Sequence, residues 1–460
     1  MSGKKKNGLP NNSEFLRELT PTRKRGEMLG KYILPEMEGI WDKENKYNKW
    51  LQIEIAVCEA LQKQGVISKS KLDQIKKKAV FDPEWAEKIS RAPNEMLMFL
   101  SLLEQAVGED NFRFVHLGLT SSDITDTTLS LQLKESGELI VSGLIELKET
   151  VKRLALKYKY TPTIGRTHGI HAEPTTFGLK LASWYSELCR QETRLKDAIE
   201  NIRYGKIAGS VGNFAQLEMS VEKYVCEKFD LNPEPVSTQV IPRDRHAQFV
   251  LTLALLGSSL ERFATEIRNL QRTEILEVEE PFRPEESGSS SMPHKRNPVS
   301  SERICGLARI LRSNCSIFLE NNVLWNERDA TGLPSEEMLF PLVCGIAHYM
   351  VVSFNNILEN LIVYPKRMEA NIYSSKGIVF SQRLLLHLIE AGLPRKQAYD
   401  LIQGKIMTTW QKDVDLHSLV VKDGEIRRYL TLDEIENLFQ LDVYMRSVDD
   451  IFQRVFGEEE

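Results

Sequence analysis

Residues 126–158 read DTTLSLQLKESGELIVSGLIELKETVKRLALKY, a helical pattern that is longer than most helices of globular proteins. The stretch contains no proline, and its apolar residues recur at intervals of three and four, which is typical of a helix with a buried face. Two further stretches share this pattern, from Thr176 to about Tyr204 and from Asp244 to about Glu279. A helix of thirty-odd residues is about 45–50 Å long at 1.5 Å per residue. These lengths predict an extended bundle of helices and not a compact helical domain.

The sequence on either side of these three stretches also has a helical pattern. Two more long helices are predicted at about 301–321 and 336–363, and a shorter helix at 50–64 is predicted to stop at Gly65. Apolar residues cover more than one face of the long helices, as shown by Leu251, Leu253, Leu255, Leu256, Leu260 and Phe263. Helices of this kind are buried on several sides, which predicts an oligomer assembled through the bundle. The predicted fold class is therefore all-α.

Composition along the chain predicts four parts. Residues 1–28 are polar and broken by glycine and proline, so a disordered extension is expected there. Its basic clusters are interpreted as solvated charge, with nucleic-acid binding as the alternative. The other predicted parts are an N-terminal helical domain at 29–118, a central long-helix bundle at 119–363 and a C-terminal helical domain at 364–460.

Charge and cysteine content exclude several functional classes. The 460 residues include 60 basic and 65 acidic side chains, for a formal net charge of −5, so neither nucleic acid nor an anionic membrane is expected as a partner of the folded part. The six cysteines form no Cys-x-x-Cys pair, which favours reduced thiols. Neither a membrane-spanning stretch nor a secretory signal is recognised in the sequence. We therefore expect a soluble, cytoplasmic protein.

Three polar segments between the helices carry the candidate chemistry. The first, HLGLTSSD at 116–123, directly precedes the first long helix. Hydroxyls and free backbone N–H groups at a helix N-terminus suit a carboxylate, because the helix dipole favours an anion there. The structural alternative is that Ser122 or Asp123 caps the helix.

The second segment, GRTHGIHAEP at 165–174, connects the first and second long helices. It carries two histidines beside glycines, and histidine is suited to general acid–base catalysis near neutral pH. A metal site is the alternative, but His-x-x-His has no carboxylate or thiol at convincing ligand spacing here. No metal is therefore predicted.

The third segment is GSSSMPHKRNP at 288–298. Its serine-rich half is typical of a surface loop. The second half is not typical of a linker, because it places the ammonium of Lys295 and the amide of Asn297 six and eight residues after Ser289.

These segments together resemble a known family. The pattern Gly-Ser-Ser-x-Met-Pro-x-Lys-x-Asn-Pro at 288–298 resembles the signature of the fumarase/aspartase superfamily at all eleven positions. The other two segments are similar to that superfamily's first and second conserved regions, and their details resemble its adenylosuccinate lyase branch. The resemblance extends from about Tyr32 to Phe456. It implies a fumarase/aspartase-type fold, in which a central bundle of long helices lies between smaller terminal helical domains and forms a tetrameric multi-helix core.

The resemblance also implies a reaction. Such enzymes need no cofactor and release fumarate from a succinyl-type substrate by anti β-elimination. Ser289 would be the base that removes the Cβ proton, and His168 the acid that protonates the departing nitrogen. Lys295 and Asn297 would stabilise the aci-carboxylate dianion. Because a serine hydroxyl is far too weak an acid to act as a base in water, Ser289 would need the nearby charge of Lys295 and exclusion of solvent.

Further positions match those that surround the anionic substrate in the family. Thr120 and Ser121 would hold a substrate carboxylate. The other predicted substrate-binding positions are His116, Thr167, Gln239, Arg243, Arg328, Lys31 and Tyr32. In the family, three subunits of a homotetramer build each active site, which agrees with the oligomer inferred from the long helices.

Four positions depart from the adenylosuccinate lyase pattern in the part of the site that holds the nucleotide. Lys31 stands where the family has arginine, Asn94 where it has histidine, Leu333 where a serine contacts the phosphate, and Glu337 where it has a further arginine. The loss of a charge-assisted hydrogen bond costs about 1.5–3 kcal/mol. Two substrates therefore stay open. One is adenylosuccinate, converted to AMP in purine biosynthesis alongside SAICAR to AICAR; the other is a different N-succinyl compound, phosphorylated or not, of a specialised nitrogen-transfer pathway.

A third hypothesis is a non-catalytic protein that keeps the fold, as the lens crystallins of this superfamily do. The intact set of Ser289, His168 and Lys295 argues against it.

Overall fold

A computed structural model describes residues 29–281, 292 and 294–457, and helices account for most of them. The helices are α1 (Pro35–Trp41), α2 (Lys43–Lys63), α3 (Lys69–Lys78), α4 (Pro83–Ser90), α5 (Glu95–Val107), α6 (Glu109–Phe112), α7 (Ser121–Lys157), α8 (Phe177–Ile202), α9 (Met219–Lys228), α10 (Asp244–Leu270), α11 (Val299–Glu320), α12 (Leu333–Glu359), α13 (Pro365–Tyr373), α14 (Ser381–Glu390), α15 (Arg395–Lys412), α16 (Leu416–Val421), α17 (Ile426–Tyr429), α18 (Leu432–Leu438), α19 (Asp442–Met445) and α20 (Val448–Phe456). Short 3-10 turns lie at Leu29–Tyr32 and Ile378–Phe380. The prediction of a helical fold is confirmed.

Short strands are the addition that the all-α prediction did not contain. They are β1 (Pro162–Thr167), β2 (Ile170–Thr176), β3 (Tyr204–Gly205), β4 (Asn232–Pro233), β5 (Val278–Glu279) and β6 (Ile362–Val363). They pair as β1–β2 and β5–β6, both antiparallel, and as the parallel pair β3–β4. Only β1–β2 is longer than two residues a strand, and it lies where the sequence predicted a plain connecting segment.

The five long helices are confirmed, with shifted ends. The helix α7 begins at Ser121, before the predicted Asp126, and at 37 residues is about 55 Å long. The helix α10 ends at Leu270, well before the predicted end near Glu279. Apolar residues such as Ile275 and Val278 continue the pattern past the true end of α10, but they belong to a turn and to β5. At the shorter helix α2, the predicted stop is confirmed, since Gly65 has a φ of +79° in the turn that follows.

The chain contacts divide into two units. The first contains the residues up to Leu144 together with Gln191–Ser258 and Leu307–Val352, and the second contains Ile145–Arg190, Ser259–Gly306 and the residues from Ser353 onward. The borders fall within the long helices. The four-part division made from composition stays a prediction.

The first unit has a core that packs the N-terminal helices against α9. Tyr47 and Trp50 of α2 are almost fully buried, with ring centroids 5.0 Å apart, and Trp50 meets Phe99 of α5 edge-on at 5.5 Å. Buried aromatic pairs in this geometry contribute about 0.5–1.5 kcal/mol beyond the area that they bury. This core supports the loop that enters α7 and carries the first polar segment.

The second unit has its own aromatic cluster and a separate C-terminal core. Trp184 stacks on Phe263 at 4.8 Å and lies 6.2 Å from Phe354. The C-terminal core is formed by Leu384, Leu388, Leu393, Ala398, Ile402, Leu416, Val420, Ile426, Leu430, Ile435 and Leu438. The second unit therefore buries apolar side chains of its own, independent of the N-terminal core.

The helix α12 is long and apolar enough to pass for a membrane span by length and composition, which the sequence analysis did not recognise. The mean hydropathy of its most apolar window is 1.5, and 61% of that window is buried inside the protein. Residues such as Phe340, Val343 and Phe354 are fully buried along it. The apolar residues of α12 are therefore explained by its place in the protein core.

Candidate active site

The first polar segment forms the N-terminus of α7. Thr120 is the residue before the helix, and its backbone N–H donates to Asp123 Oδ2 at 2.8 Å, so Asp123 does cap the helix as the structural alternative expected. The hydroxyls of Thr120 and Ser121 make no hydrogen bond within the part of the chain that the structure describes, and both residues are half-buried. Capping and anion binding are therefore compatible, because the cap uses Asp123 and leaves the two predicted hydroxyls available.

Asp123 also ties the start of α7 to the segment after β3. Its other carboxylate oxygen accepts hydrogen bonds from the ammonium of Lys206 and from the backbone N–H groups of Ala208, at 3.0 Å, and Gly209, at 3.2 Å. Asp123 and Lys206 have no exposed surface. A buried ion pair is stable only when hydrogen bonds satisfy its remaining valences, and four donors to one carboxylate meet that requirement. The sequence analysis named Asp123 only as a cap and missed Lys206.

Two predicted substrate-binding residues, Gln239 and Arg328, meet beside this helix start. Arg328 Nη1 donates to Ser122 Oγ at 2.6 Å and to Gln239 Oε1 at 3.0 Å. Gln239 in turn donates from Nε2 to the carbonyl of Ser210 at 3.0 Å. Residues from four separate stretches of sequence therefore converge at one end of α7.

His116, also predicted to line the site, is held by a buried acid. Its ring Nδ1 lies 2.6 Å from Glu54 Oε1, and its backbone N–H donates to Glu54 Oε2 at 3.0 Å. Burial opposes the charged imidazole, but the hydrogen bond and charge of Glu54, with the charge of Asp123, raise the pKa of His116 overall. The φ of His116 is +56°, an unusual backbone conformation for a residue other than glycine, which the two bonds to Glu54 fix.

Arg243 is buried within a charged cluster that the sequence did not predict. Its guanidinium donates to both carboxylate oxygens of Asp126, at 2.9 and 3.1 Å, and to both of Glu336, at 2.8 and 3.2 Å. Burial raises the pKa of Glu336 in spite of the nearby arginine, whereas at Asp126 the charge and hydrogen bonds of Arg243 outweigh burial and lower the pKa. In this structure Arg243 therefore joins α7 to α12, with its hydrogen-bonding groups directed to carboxylates of the same chain.

The second polar segment is the hairpin β1–β2, and His168 lies at its tip. Thr167 pairs with Ile170, which leaves His168 and Gly169 as a two-residue turn with φ of +55° and +79°. Two consecutive positive φ values are those of a type I′ turn, the tight turn that fits the twist of antiparallel strands. Thr167 and His168 are exposed at this tip. The turn therefore leaves His168 exposed to solvent.

A buried glutamate anchors the base of the hairpin. Glu277 accepts hydrogen bonds from Thr163 at 3.1 Å, Arg166 at 2.6 Å and Asn371 at 2.8 Å, and its side chain is 1% exposed. Burial and the adjacent charge of Arg166 lower the pKa of His171, which pairs with Arg166 across the two strands. Glu277 and Arg166 were not predicted as site residues, because a contact between positions more than a hundred residues apart leaves no local pattern.

The third segment is described only in its second half. Ser289 lies outside the described residues. Lys295 is exposed, and Asn297 is half-buried near the start of α11. The chain around them is held at two points: Arg296 Nη1 donates to Glu279 at 3.1 Å, and Glu280 accepts the backbone N–H groups of Ser300 and Ser301 at 3.1 and 2.7 Å. Glu280 therefore caps α11 and fixes the path of the chain at Asn297.

The four departures from the family pattern lie in the first unit. Asn94 caps α5, with its side chain accepting the backbone N–H of Leu97 at 3.1 Å. Leu333 and Glu337 are exposed in the first turns of α12. Lys31 is exposed, while Tyr32, also predicted to bind substrate, is half-buried and packs edge-on against Tyr349 at 5.5 Å. Within this chain, Asn94 therefore acts as a helix cap, and Lys31, Leu333 and Glu337 are surface residues.

Histidine, cysteine, aspartate and glutamate form no group of three or more suited to a metal ion among residues 29–281, 292 and 294–457. Several buried carboxylates of each unit are instead paired with arginine, lysine or backbone N–H groups. Examples are Asp123, Asp126 and Glu277.

Sequence comparison with characterised families gives two matches. The family described as "Lyase" matches residues 31–311, and the one described as "Adenylosuccinate lyase C-terminus" matches residues 377–455. The chain is 46% identical to the adenylosuccinate lyase of Thermotoga maritima, over 93% of this chain and 99% of that protein. It is 42% identical to the adenylosuccinate lyase of Bacillus subtilis, with the same two coverages.

Solved structures share the fold over nearly the whole chain. A fumarate lyase from Mesorhizobium sp. BNC1 superimposes with a TM-score of 0.85 at 24% identity, covering 95% of this chain and 100% of that one. The 3-carboxy-cis,cis-muconate lactonizing enzyme from Pseudomonas putida gives a TM-score of 0.85 at 27% identity, over 93% of this chain and 97% of that one. The arrangement of long helices is therefore common to all three chains.

Proposed function

Because the chain belongs to the adenylosuccinate lyase branch of the fumarase/aspartase superfamily, we propose that it splits adenylosuccinate into AMP and fumarate and performs the matching step from SAICAR to AICAR in purine biosynthesis. The single observation that carries this proposal is the identity of 42–46% with adenylosuccinate lyases over 93–94% of the chain. The alternative, a different N-succinyl substrate, is not favoured. These relatives are all named adenylosuccinate lyase, and the match with this chain covers almost the whole length of each of them.

In the proposed reaction, a base removes a proton from Cβ of the succinyl group while the bond from Cα to nitrogen breaks. The electron pair of the C–H bond becomes the double bond of fumarate, and the nitrogen leaves with a proton. His168 donates that proton, which its exposed place on a type I′ turn supports. Ser289 is the base by resemblance to the family signature. Lys295 offers its ammonium to the extra negative charge that develops on the carboxylate as the proton leaves.

The start of α7 is the proposed site for a substrate carboxylate. The hydroxyls of Thr120 and Ser121 are available, and the free N–H groups of the first helical turn favour an anion. Arg328 lies beside them through its bond to Ser122. His116, Thr167, Gln239, Lys31 and Tyr32 complete the proposed binding set, while Arg243 takes part by holding α7 and α12 together.

The decisive experiment is turnover by the purified full chain. We expect adenylosuccinate to yield fumarate and AMP in equal amounts, measured by absorbance and chromatography, and Ser289→Ala to lose at least about a thousand-fold in rate, the scale seen when a central catalytic group is removed. Absence of fumarate release at high enzyme concentration would overturn the proposal. The same assay with the unphosphorylated succinyl nucleoside tests the alternative directly.

The proposed assembly is a cytoplasmic homotetramer in which subunits share active sites. Apolar residues on α10 and α11 support an oligomer: Leu251, Leu255 and Leu319 are 39–53% exposed and line one groove of about 320 Å³. Sedimentation should give four times the chain mass of 52.7 kDa. If sites are shared, a mixture of inactive His168→Ala and inactive Ser289→Ala proteins regains part of the activity, whereas sites within one chain would leave the mixture inactive.

A further inference from the structure

Ser122 lies directly behind the two residues proposed to hold the substrate. It is fully buried, whereas Thr120 and Ser121 are half-buried. Its hydroxyl accepts a hydrogen bond of 2.6 Å from Nη1 of Arg328, the shortest of the bonds made by that guanidinium. A residue with no exposed surface cannot contact a substrate, so any effect of Ser122 on the reaction acts through a neighbour.

Arg328 is held on one side only. Nη1 makes both of its side-chain bonds, to Ser122 and to Gln239, whereas Nε and Nη2 make no hydrogen bond within the described residues. A guanidinium carries five N–H donors in a rigid plane, so fixing one nitrogen fixes the direction of the others. The remaining donors are oriented and available to a carboxylate or phosphate oxygen.

The loop that carries Arg328 has a fixed backbone of its own. Asp329 accepts the backbone N–H groups of Trp325 and Thr331, both at 2.8 Å, and the carbonyl of Glu327 accepts the backbone N–H of Gln239 at 3.2 Å. These bonds set the path of the backbone but do not fix the rotamer of the long arginine side chain. The hydrogen bonds from Nη1 to Ser122 and Gln239 fix that rotamer.

Ser122 itself is held in register by the buried pair of Asp123 and Lys206. Asp123 binds Thr120 on one side and the 206–209 segment on the other, and Thr127 exchanges two hydrogen bonds with the backbone of Lys206, at 3.0 and 3.1 Å. The first turns of α7 are therefore fixed before any ligand binds. A preorganised donor binds an anion more tightly than a mobile one, because less side-chain freedom is lost on binding.

We propose that Ser122 is a positioning residue that fixes the guanidinium of Arg328 beside Thr120 and Ser121, so that arginine and helix N-terminus grip one substrate anion together. The inference rests on the proposed lyase function. The charge that develops in the transition state is proposed to meet Lys295, so the anion held by Arg328 and the start of α7 keeps the same charge throughout the reaction. The grip therefore binds ground state and transition state alike. Its loss raises KM and leaves kcat nearly unchanged.

The test replaces Ser122 by alanine and compares it with Ser130→Ala in the same helix. Ser130 is also fully buried, but its hydroxyl has no hydrogen-bond partner among the described residues, so this control removes the same atom without a bond to Arg328. We expect Ser122→Ala to raise KM for adenylosuccinate about ten-fold, the lower end for a bond to a charged group because Gln239 remains, with kcat within about three-fold. Ser130→Ala should match the wild type. Equal effects of the two substitutions, or a fall in kcat at unchanged KM, would overturn the proposal.

A double-mutant cycle shows whether Ser122 acts through Arg328. In an Arg328→Met background, Ser122→Ala should add less than about two-fold, because the partner is already gone. An undiminished ten-fold effect in that background would refute the assignment.

Hydrogen exchange supplies a readout that does not depend on the reaction. In Ser122→Ala, amides of residues 325–331 should exchange at least about three-fold faster than in Ser130→Ala, since the loop loses a side-chain tether. If the wild type released no fumarate, the proposed function would fail, and this comparison would still decide whether Ser122 holds Arg328. Unchanged exchange would count against that role.

Discussion

Glu222 is a buried acid beside the candidate site that forms no ion pair with the described residues, and its charge should limit the stability of the protein near neutral pH. The side chain lies on α9 and is 2% exposed, and Oε1 accepts the backbone N–H of Ile207 at 3.0 Å. Burial raises the pKa of Glu222 from 4.5 to about 7, although the Ile207 N–H and the charge of Lys206 oppose the increase. The substitution Glu222→Gln keeps an oxygen that can accept from Ile207 and removes the charge.

The expected gain in stability follows from the pKa shift. In the unfolded chain this carboxyl loses its proton near its ordinary pKa of 4.5, but in the folded protein it does so only near 7. The wild type therefore has its full stability below about pH 4.5 and loses part of it as the pH rises through 7. At 1.36 kcal/mol for each pKa unit, the loss reaches up to about 3 kcal/mol above pH 7. Glutamine does not titrate and avoids this loss.

Denaturant unfolding of the full chain at about pH 4.5 and about pH 8 measures the effect. Glu222→Gln should match the wild type at the lower pH and exceed its free energy of unfolding by up to about 3 kcal/mol at the higher pH. The matched control is Glu227→Gln, which removes an exposed charge from the same helix and a weak 3.9 Å ion pair with Lys223. That substitution should change stability by less than about 1 kcal/mol at either pH. A gain for Glu222→Gln that does not depend on pH would refute the reasoning.

Three further substitutions test the supports of the site. Glu54→Gln should lower the pKa of His116, because it removes the charge that raises it; histidine hydrogen exchange followed by mass spectrometry measures this, and an unchanged pKa would count against the pairing. Gly169→Ala adds a Cβ in open space at a φ of +79° and should lower the free energy of unfolding by about 1–2 kcal/mol, measured by thermal unfolding. Its control is Gly306→Ala, which also adds a Cβ in open space but lies within α11, and which should raise the free energy of unfolding by up to about 1 kcal/mol. Arg243→Met should cost about 3–5 kcal/mol in denaturant unfolding, because it leaves two buried carboxylates without their partner; a loss below 1 kcal/mol would contradict a buried ion cluster.

The long helices could be predicted from the sequence because their evidence is local. An apolar interval of three and four residues is visible in any window of α7 or α10, and no proline interrupts it. The ends were less predictable, since the apolar residues after Leu270 extend the pattern into a turn and β5. The turn includes Leu276, whose φ is +48°, and a leucine in the sequence does not predict a positive φ.

The hairpin β1–β2 was predictable in principle and was missed. Its strands are rich in threonine and isoleucine, and they flank His168-Gly169, a pair in which glycine readily takes a positive φ. The same two residues therefore form both the turn and, at His168, the candidate acid. The type I′ geometry explains the position of His168 better than the loop that the sequence predicted.

The supports of the site were not predictable, because they join distant parts of the chain. Asp123 and Lys206 are 83 residues apart, and Arg328 and Ser122 are 206 apart. A motif identifies groups that react or bind, since their spacing is local, but a lysine such as Lys206 is indistinguishable in sequence from a solvated one. Burial alone separates the two cases, and burial depends on the complete fold.

The four altered positions show why a departure from a family pattern does not by itself redirect function. Asn94 lacks the ring of the histidine that it replaces, but its side chain caps α5, and a cap contributes about 1 kcal/mol to a helix. Glu337 adds negative charge to the first turns of α12, where the helix dipole stabilises an acid, next to Glu336, which binds Arg243. Phosphate lies far from the bond that breaks, so the altered positions change the hold on the nucleotide and not the groups proposed to carry out the elimination. The chemistry around His168 and Lys295 can therefore stay that of an adenylosuccinate lyase while the hold on the nucleotide changes.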